Sequence, residues 1–179
     1  LIGLTFRWTN HMSGNISGQP IASRDRGPGL PAMFDRYKNR FEQELSRSVR
    51  LPEGTDPYTK VRNLQTWGKR EKNWPDLPYH FLISPDGRIF EGRDPFYQPQ
   101  SNTDYDMRGV LNIQLFGNFE EQSVSPEQKR ALTSLLRYLC ESYTIPAKRI
   151  STHQQEAPGQ TTCPGRDLIH CLPEILSGI

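Results

Sequence analysis

Cysteine is scarce in this chain, with three residues in 179. That count excludes a disulfide scaffold, and because it is odd at least one thiol is left free or coordinated. Long hydrophobic runs are absent as well: nothing approaches the ~18 to 20 consecutive apolar residues of a spanning helix, so no segment crosses a membrane. Residues 1–8 carry an arginine and are too short for a signal-peptide core. The chain opens on leucine, as a processed chain or an excised domain does, so the missing leader says little about location. Neither sign of charge is in excess. Lys+Arg 22 against Asp+Glu 20 leave a net +2, without the basic stripe of a nucleic-acid binder, so no nucleic-acid partner is expected. With 34% apolar residues, 14 Gly and 15 Pro, the composition is loop-rich yet short of the excess that marks disorder. A single core fits this length.

What is present is a succession of strand and helix signals. Leu4, Phe6 and Trp8 alternate with Thr5, Arg7 and Thr9, the period of a strand with one buried face. Residues 13–31 (SGNISGQPIASRDRGPGLP) form a long surface loop. Phe34, Tyr37, Phe41 and Leu45 recur at helical steps, which predicts an amphipathic helix over about residues 31–49. A second helix is expected from Tyr58 to Gly68, with Val61, Leu64 and Trp67 inward. Strands at residues 79–83 and 88–91 flank Ser84-Pro85-Asp86-Gly87, a hairpin turn. The apolar run VLNIQLF at residues 110–116 has the pattern of a central strand covered on both faces. Ser125-Pro126-Glu127-Gln128 supplies an N-cap, a first-turn proline and a capping box, ahead of Leu132, Leu135, Leu136, Leu139 and Tyr143. Residues 150–152 predict a short last strand, and a closing helix over residues 168–176 is interrupted by Pro173. The class is α/β: one domain, a central mixed sheet with helices packed on it.

Chemistry-bearing side chains are few enough to weigh singly. Cys140 and Cys171 fall on apolar helical stripes and are expected to be core residues, a disulfide between them being the alternative. Cys163 stands instead in Thr161-Thr162-Cys163-Pro164-Gly165, where proline and glycine constrain the loop. His153 follows the last strand ten residues earlier. A histidine at a strand end and a cysteine on the next loop can converge on one metal ion, although a catalytic zinc needs a third protein ligand.

Three ordered blocks carry a family resemblance. Tyr79-His80-Phe81-Leu82-Ile83 with Asp86-Gly87-Arg88-Ile89-Phe90-Glu91-Gly92-Arg93 resembles the central hairpin of the zinc-dependent N-acetylmuramoyl-L-alanine amidases and peptidoglycan-recognition proteins. NIQLFGNFE at residues 112–120 resembles the family's next core strand, and His153 with residues 161–165 resembles its last two metal ligands. The likeness spans roughly residues 58–176, about two thirds of the chain. A segment of about residues 14–57 stands as a family-atypical insertion within the one domain, expected to wall or cover a substrate groove.

The resemblance implies a Zn2+ cofactor held by His11, His153 and Cys163, with the fourth position open to water. The first ligand admits two registers: His11-Met12-Ser13-Gly14, which is preferred, or Arg7-Trp8-Thr9-Asn10, which would remove the ligand and leave a receptor without zinc. It also implies Tyr79 as the catalytic tyrosine that positions water, and Thr161 as the hydroxyl aimed at the developing oxyanion. His80, next to Tyr79 on one strand, faces the other way and is expected to be structural, and His170 to be a surface residue. Gln114 stands where some branches carry a glutamate and cannot act as a base. Gln98 to Asn102 (QPQSN) replaces a histidine that many members carry after the hairpin. The implied activity is hydrolysis of the amide between N-acetylmuramic acid and the L-alanine of the stem peptide. A peptidoglycan or muropeptide partner would place the protein outside the cytoplasm: secreted, periplasmic or wall-associated. A non-catalytic peptidoglycan receptor of the same fold is the alternative.

Overall fold

The computed structural model describes residues 56–179 in full and the backbone of residues 2–7. His11, the loop and helix expected over residues 13–49, and nearly all of the 14–57 segment lie outside the described residues. Strand β1 (Ile2–Arg7) opens the sheet, and helix α1 (Pro57–Glu71) follows. Asp56 caps α1 by accepting the N–H groups of Tyr58 and Thr59, and Pro57 occupies its first turn, where no N–H is needed. Its inner stripe departs from expectation. Leu64 and Gly68 are buried, but Trp67 is 39% exposed. Trp74 lays its ring on Gly68, where a Cβ would stand 3.0 Å from it, so the glycine takes the inward place. Trp67 meets Trp74 edge-on from outside, with centroids 5.7 Å apart.

Strands β2 (Phe81–Ile83) and β3 (Ile89–Glu91) form the expected hairpin. Gly87 turns the chain at φ +81 and donates its N–H to the Ser84 carbonyl. Strand β4 (Val110–Leu115) is buried at every residue. Helix α2 (Pro126–Tyr143) has the capping box read from sequence, and the Ser125 hydroxyl also donates to the Pro85 carbonyl, tying the hairpin turn to the helix start. Strand β5 (Ile150–Thr152), the short helix α3 (His153–Glu156) and helix α4 (Arg166–Ser177), with Pro173 inside it, complete the chain.

The sheet runs β3-β2-β4-β1-β5 and is mixed: β2 is parallel to β4, whereas β1 is antiparallel to both β4 and β5. Leu111, Ile113 and Leu115 point to one face, onto Leu132, Leu136 and Leu139 of α2 and Leu168, Cys171 and Ile175 of α4. Truncating one of these leucines to alanine costs about 2 to 5 kcal/mol at such positions. On the other face Leu82 and Phe116 meet Leu64 and Leu77. Cys171 is buried and Cys140 half-buried against the core, and both are free, so the disulfide alternative is not realised.

His80 is structural, as expected, and holds more together than a core side chain would. Its Nδ1 accepts the Asn112 N–H at 2.9 Å, which leaves Nε2 to carry the proton donated to the Tyr97 carbonyl at 2.9 Å. Burial therefore keeps the ring neutral and brings its pKa down to about 4. Between pH 4 and the ordinary value near 6.5 the unfolded chain binds a proton that the folded chain refuses, so stability falls as pH drops through that window. The difference is on the order of 3 kcal/mol. Urea unfolding at pH 7 and pH 4.5 should show this loss in the wild type, and His80→Gln should flatten it while lowering stability at pH 7. An equal pH dependence in the variant would remove His80 as its source.

Candidate functional site

Tyr79 stands at the residue before His80, and the chain holds it there from both sides. The Arg93 N–H donates to the Tyr79 carbonyl and the Gly92 N–H to the His80 carbonyl, each at 2.8 Å. The backbones approach so closely that a Cβ on Gly92 would stand 2.3 Å from the Tyr79 oxygen. The Arg93 side chain, 4% exposed, donates Nε–H to Leu77 O at 2.8 Å, Nη1–H to Gln98 O at 2.5 Å and Nη2–H to Asp76 O at 3.2 Å. One guanidinium thus fixes the segment entering Tyr79 and the segment leaving β3. Burial raises the Tyr79 pKa, and the neighbouring Cys163 and Tyr105 push it further the same way. The phenol is a proton donor throughout the neutral range.

His153 begins α3 directly after β5, capped by the Thr152 hydroxyl, which accepts the Gln155 N–H. Gln154 donates its N–H to the Cys163 carbonyl at 2.8 Å, which brings the cysteine loop against the histidine turn. Cys163 is buried, and its own N–H donates to Thr161 Oγ1 at 3.1 Å. The Thr161 hydroxyl therefore shapes the loop while keeping its proton to donate elsewhere. Gly165 closes the turn at φ +90, where a Cβ would meet the Phe119 backbone at 2.7 Å. Of the five side chains singled out from sequence, Tyr79, His153, Thr161 and Cys163 are described, the last three on segments joined by the Gln154–Cys163 and Cys163–Thr161 bonds. His11, the fifth, is outside the described residues.

Burial lowers the His153 pKa, so the imidazole is neutral and has one nitrogen lone pair to offer. Nε2 engages Thr103 Oγ1 at 2.5 Å, and Nδ1 has no partner among the described residues. A neutral imidazole beside a thiol suits zinc, and these two donors fit that metal. Among the described residues no third His, Cys, Asp or Glu joins them. Strand β1 bears on this point. Thr152 pairs with Leu4, so His153 follows toward Gly3, while β1 ends at Arg7. The strand end read as delivering the first ligand lies four places from Gly3, about 13 Å along the sheet. Gln114 is wholly buried, its Nε2 donates to Leu115 O, and its Oε1 has no hydrogen-bond partner among the described residues.

Sequence reasoning marked residues 98–102 only for a missing histidine and gave no role to Ser101, Thr103 or Tyr105. Thr103 and Ser101 reach the His153 ring, the Tyr105 ring lies 5.5 Å from it, and Gln160 exchanges two hydrogen bonds with the Asp104 backbone, at 2.8 and 3.1 Å. The hydroxyl-rich run Ser101-Asn102-Thr103 was the available signal. Beside this loop lies a shallow depression lined by Gln154, Gly159, Gln160, Thr161 and Thr162.

The sequence profile of the N-acetylmuramoyl-L-alanine amidases matches residues 48–166, beginning after His11. The endolysin of Escherichia phage T7 is 31% identical over 113 residues, covering 60% of this chain and 71% of the endolysin. The peptidoglycan-recognition protein SD of Drosophila simulans is 30% identical over 114 residues, covering 60% of this chain and 57% of that relative. Among solved structures, the N-acetylmuramoyl-L-alanine amidase LysC of Clostridium intestinale superposes with a TM-score of 0.57 at 30% identity, over 65% of this chain and 73% of LysC. Drosophila peptidoglycan-recognition protein SD superposes with a TM-score of 0.57 at 27% identity, over 67% of this chain and 72% of its own. With its hairpin, core strand and cysteine loop inside the matched region, the chain belongs to the N-acetylmuramoyl-L-alanine amidase family.

Proposed function

We propose that this chain is a zinc-dependent peptidoglycan hydrolase that cleaves the amide between N-acetylmuramic acid and the L-alanine of the stem peptide. What supports this reading is that the Gln154 N–H bonds the Cys163 carbonyl, bringing the cysteine loop against the turn at His153, and that Cys163 lies near enough to Tyr79 to raise the pKa of its phenol. A thiol brought against a histidine turn has a ready use in an amidase, as a metal ligand, and little use in a receptor. His11 supplies the third ligand in this reading.

Zinc held there would supply Lewis acidity to the scissile carbonyl and activate water. The chain's own residues do the rest. The protonated Tyr79 hydroxyl donates to the attacking water or to the oxygen on which charge develops. Thr161 keeps a hydroxyl proton free for that oxygen, a weaker stabiliser than an ammonium. The depression lined by Gln154, Gln160, Thr161 and Thr162 offers amides and hydroxyls to the stem peptide next to the reacting bond. Such a substrate implies action outside the cytoplasm. Among the described residues no helix is long and apolar enough to cross a membrane.

The direction of β1 favours a second reading, a peptidoglycan receptor without turnover, because that strand carries its C-terminal end away from His153. Metal analysis separates the two. The amidase should hold about one zinc per chain, release free stem peptide from peptidoglycan and stop doing so after chelation; metal-free, inactive protein would establish the receptor. Cys163→Ser should abolish turnover and weaken zinc, whereas Cys140→Ser should keep both and cost roughly 1 kcal/mol of stability at most. Equal loss of activity in the two folded variants would mean the thiols are misassigned. Tyr79→Phe should lower kcat by about two orders of magnitude with zinc content unchanged. Undiminished turnover in that variant would return Tyr79 to a packing role.

A further inference from the structure

The loop that lacks the family-type histidine after the hairpin ends against His153. Thr103 Oγ1 lies 2.5 Å from His153 Nε2, and Ser101 Oγ lies 3.4 Å from the same nitrogen. The two hydroxyls are 2.8 Å apart, and the Thr103 N–H donates to Ser101 Oγ at 3.1 Å. If Nε2 carries the imidazole proton, every group in this chain has a consistent role: Nε2–H donates to Thr103 Oγ1, the Thr103 hydroxyl donates to Ser101 Oγ, and Nδ1 keeps its lone pair. The loop itself is anchored at its other edge. Gln160, three residues before Cys163, accepts the Asp104 N–H and donates to the Asp104 carbonyl, so Thr103 is tied to the cysteine loop as well as to the histidine. The Tyr105 ring, tilted at 52° against the imidazole, limits its rotation from the side.

We infer that Thr103 is a positioning residue for His153, holding the imidazole in the Nε2–H tautomer so that Nδ1 is the ligating atom, with Ser101 as its hydrogen-bond relay. This rests on the zinc-amidase reading, in which His153 is a metal ligand. A partner on the distal nitrogen of a ligating histidine fixes both the tautomer and the ring angle, and its removal typically costs ~10- to 100-fold in metal affinity. The two hydroxyls replace the carboxylate or carbonyl that most often takes this role.

Two measurements on the full chain test the inference. Zinc affinity, from competition against a chromogenic chelator, should weaken ~10- to 100-fold in Thr103→Val and stay near the wild-type value in Thr103→Ser, which retains the hydroxyl. In metal-free protein, long-range proton–nitrogen spectra of the imidazoles, with the His153 signal assigned from His153→Gln, should show Nε2–H in wild type and Thr103→Ser. Thr103→Val should weaken that preference toward the modest bias of a free imidazole. Wild-type zinc affinity in Thr103→Val, or an unchanged tautomer, overturns the role given to Thr103. A wild type that takes up no zinc would instead defeat the zinc reading, and the tautomer measurement alone would then decide whether Thr103 orients the ring.

Discussion

The candidate site depends on two buried polar side chains, His80 and Arg93. The His80 imidazole must stay neutral, because a proton on Nδ1 would face the Asn112 N–H that it now accepts. It thereby links β4 to the loop at Tyr97, while Arg93 ties Gln98 of that loop to the carbonyls of Asp76 and Leu77 in the segment entering Tyr79. Losing either would leave buried backbone groups unpaired, at about 1 to 3 kcal/mol for each group. The exposed ion pairs Arg108–Asp106 and Arg130–Glu127 compete poorly with that, since such pairs contribute roughly 0 to 1 kcal/mol each. Rigidity near the site therefore comes from interior hydrogen bonds.

That rigidity is passed along the chain to the histidine. The loop leaves β3 through Arg93, is held at Gln98 and Tyr97, and reaches His153 through Thr103. On the far side the cysteine loop is held by the Gln154–Cys163 bond, by Gly165 packed on the Phe119 backbone and by Arg166 paired with Glu120 at 2.8 Å. Tyr79 lies between these two anchored loops. A tyrosine, a histidine and a cysteine are thus fixed to a common frame, which is what a reaction sensitive to small displacements requires.

The family assignment and the direction of β1 pull on different parts of the chemistry. Residues 48–166 contain every described member of the site, and relatives over that span include both endolysins and peptidoglycan-recognition proteins. His11, read from sequence as the first metal ligand, falls before that span, after a strand whose end runs away from His153. In the proposed amidase reading, turnover hinges on the few residues after Arg7, whereas the proposed receptor reading needs only the part of the fold that the family shares.

Local structure was legible in the sequence because its causes are local. The Ser125 capping box, the Ser84 to Gly87 turn, the mostly apolar β4 and the short β5 each rest on residues close together in the chain. That the turn at His153 meets the loop of Cys163 was legible too, since the two sit ten residues apart, and the Gln154–Cys163 backbone bond joins them. Trp67 was misjudged because helical spacing does not reveal that Trp74 would cover Gly68 from the side. Thr103, Ser101, Arg93 and Gln160 carried no periodic signal. Their partners lie as far as 50 and 56 residues away for Thr103 and Gln160. Which loops meet is settled by strand order and by β2 running parallel to β4, and that order is chosen by burial of whole faces. The sequence by itself determined the elements, the caps and the reactive residue types. Only the tertiary structure decided which hydroxyl faces which imidazole nitrogen, because that depends on contacts across the sheet.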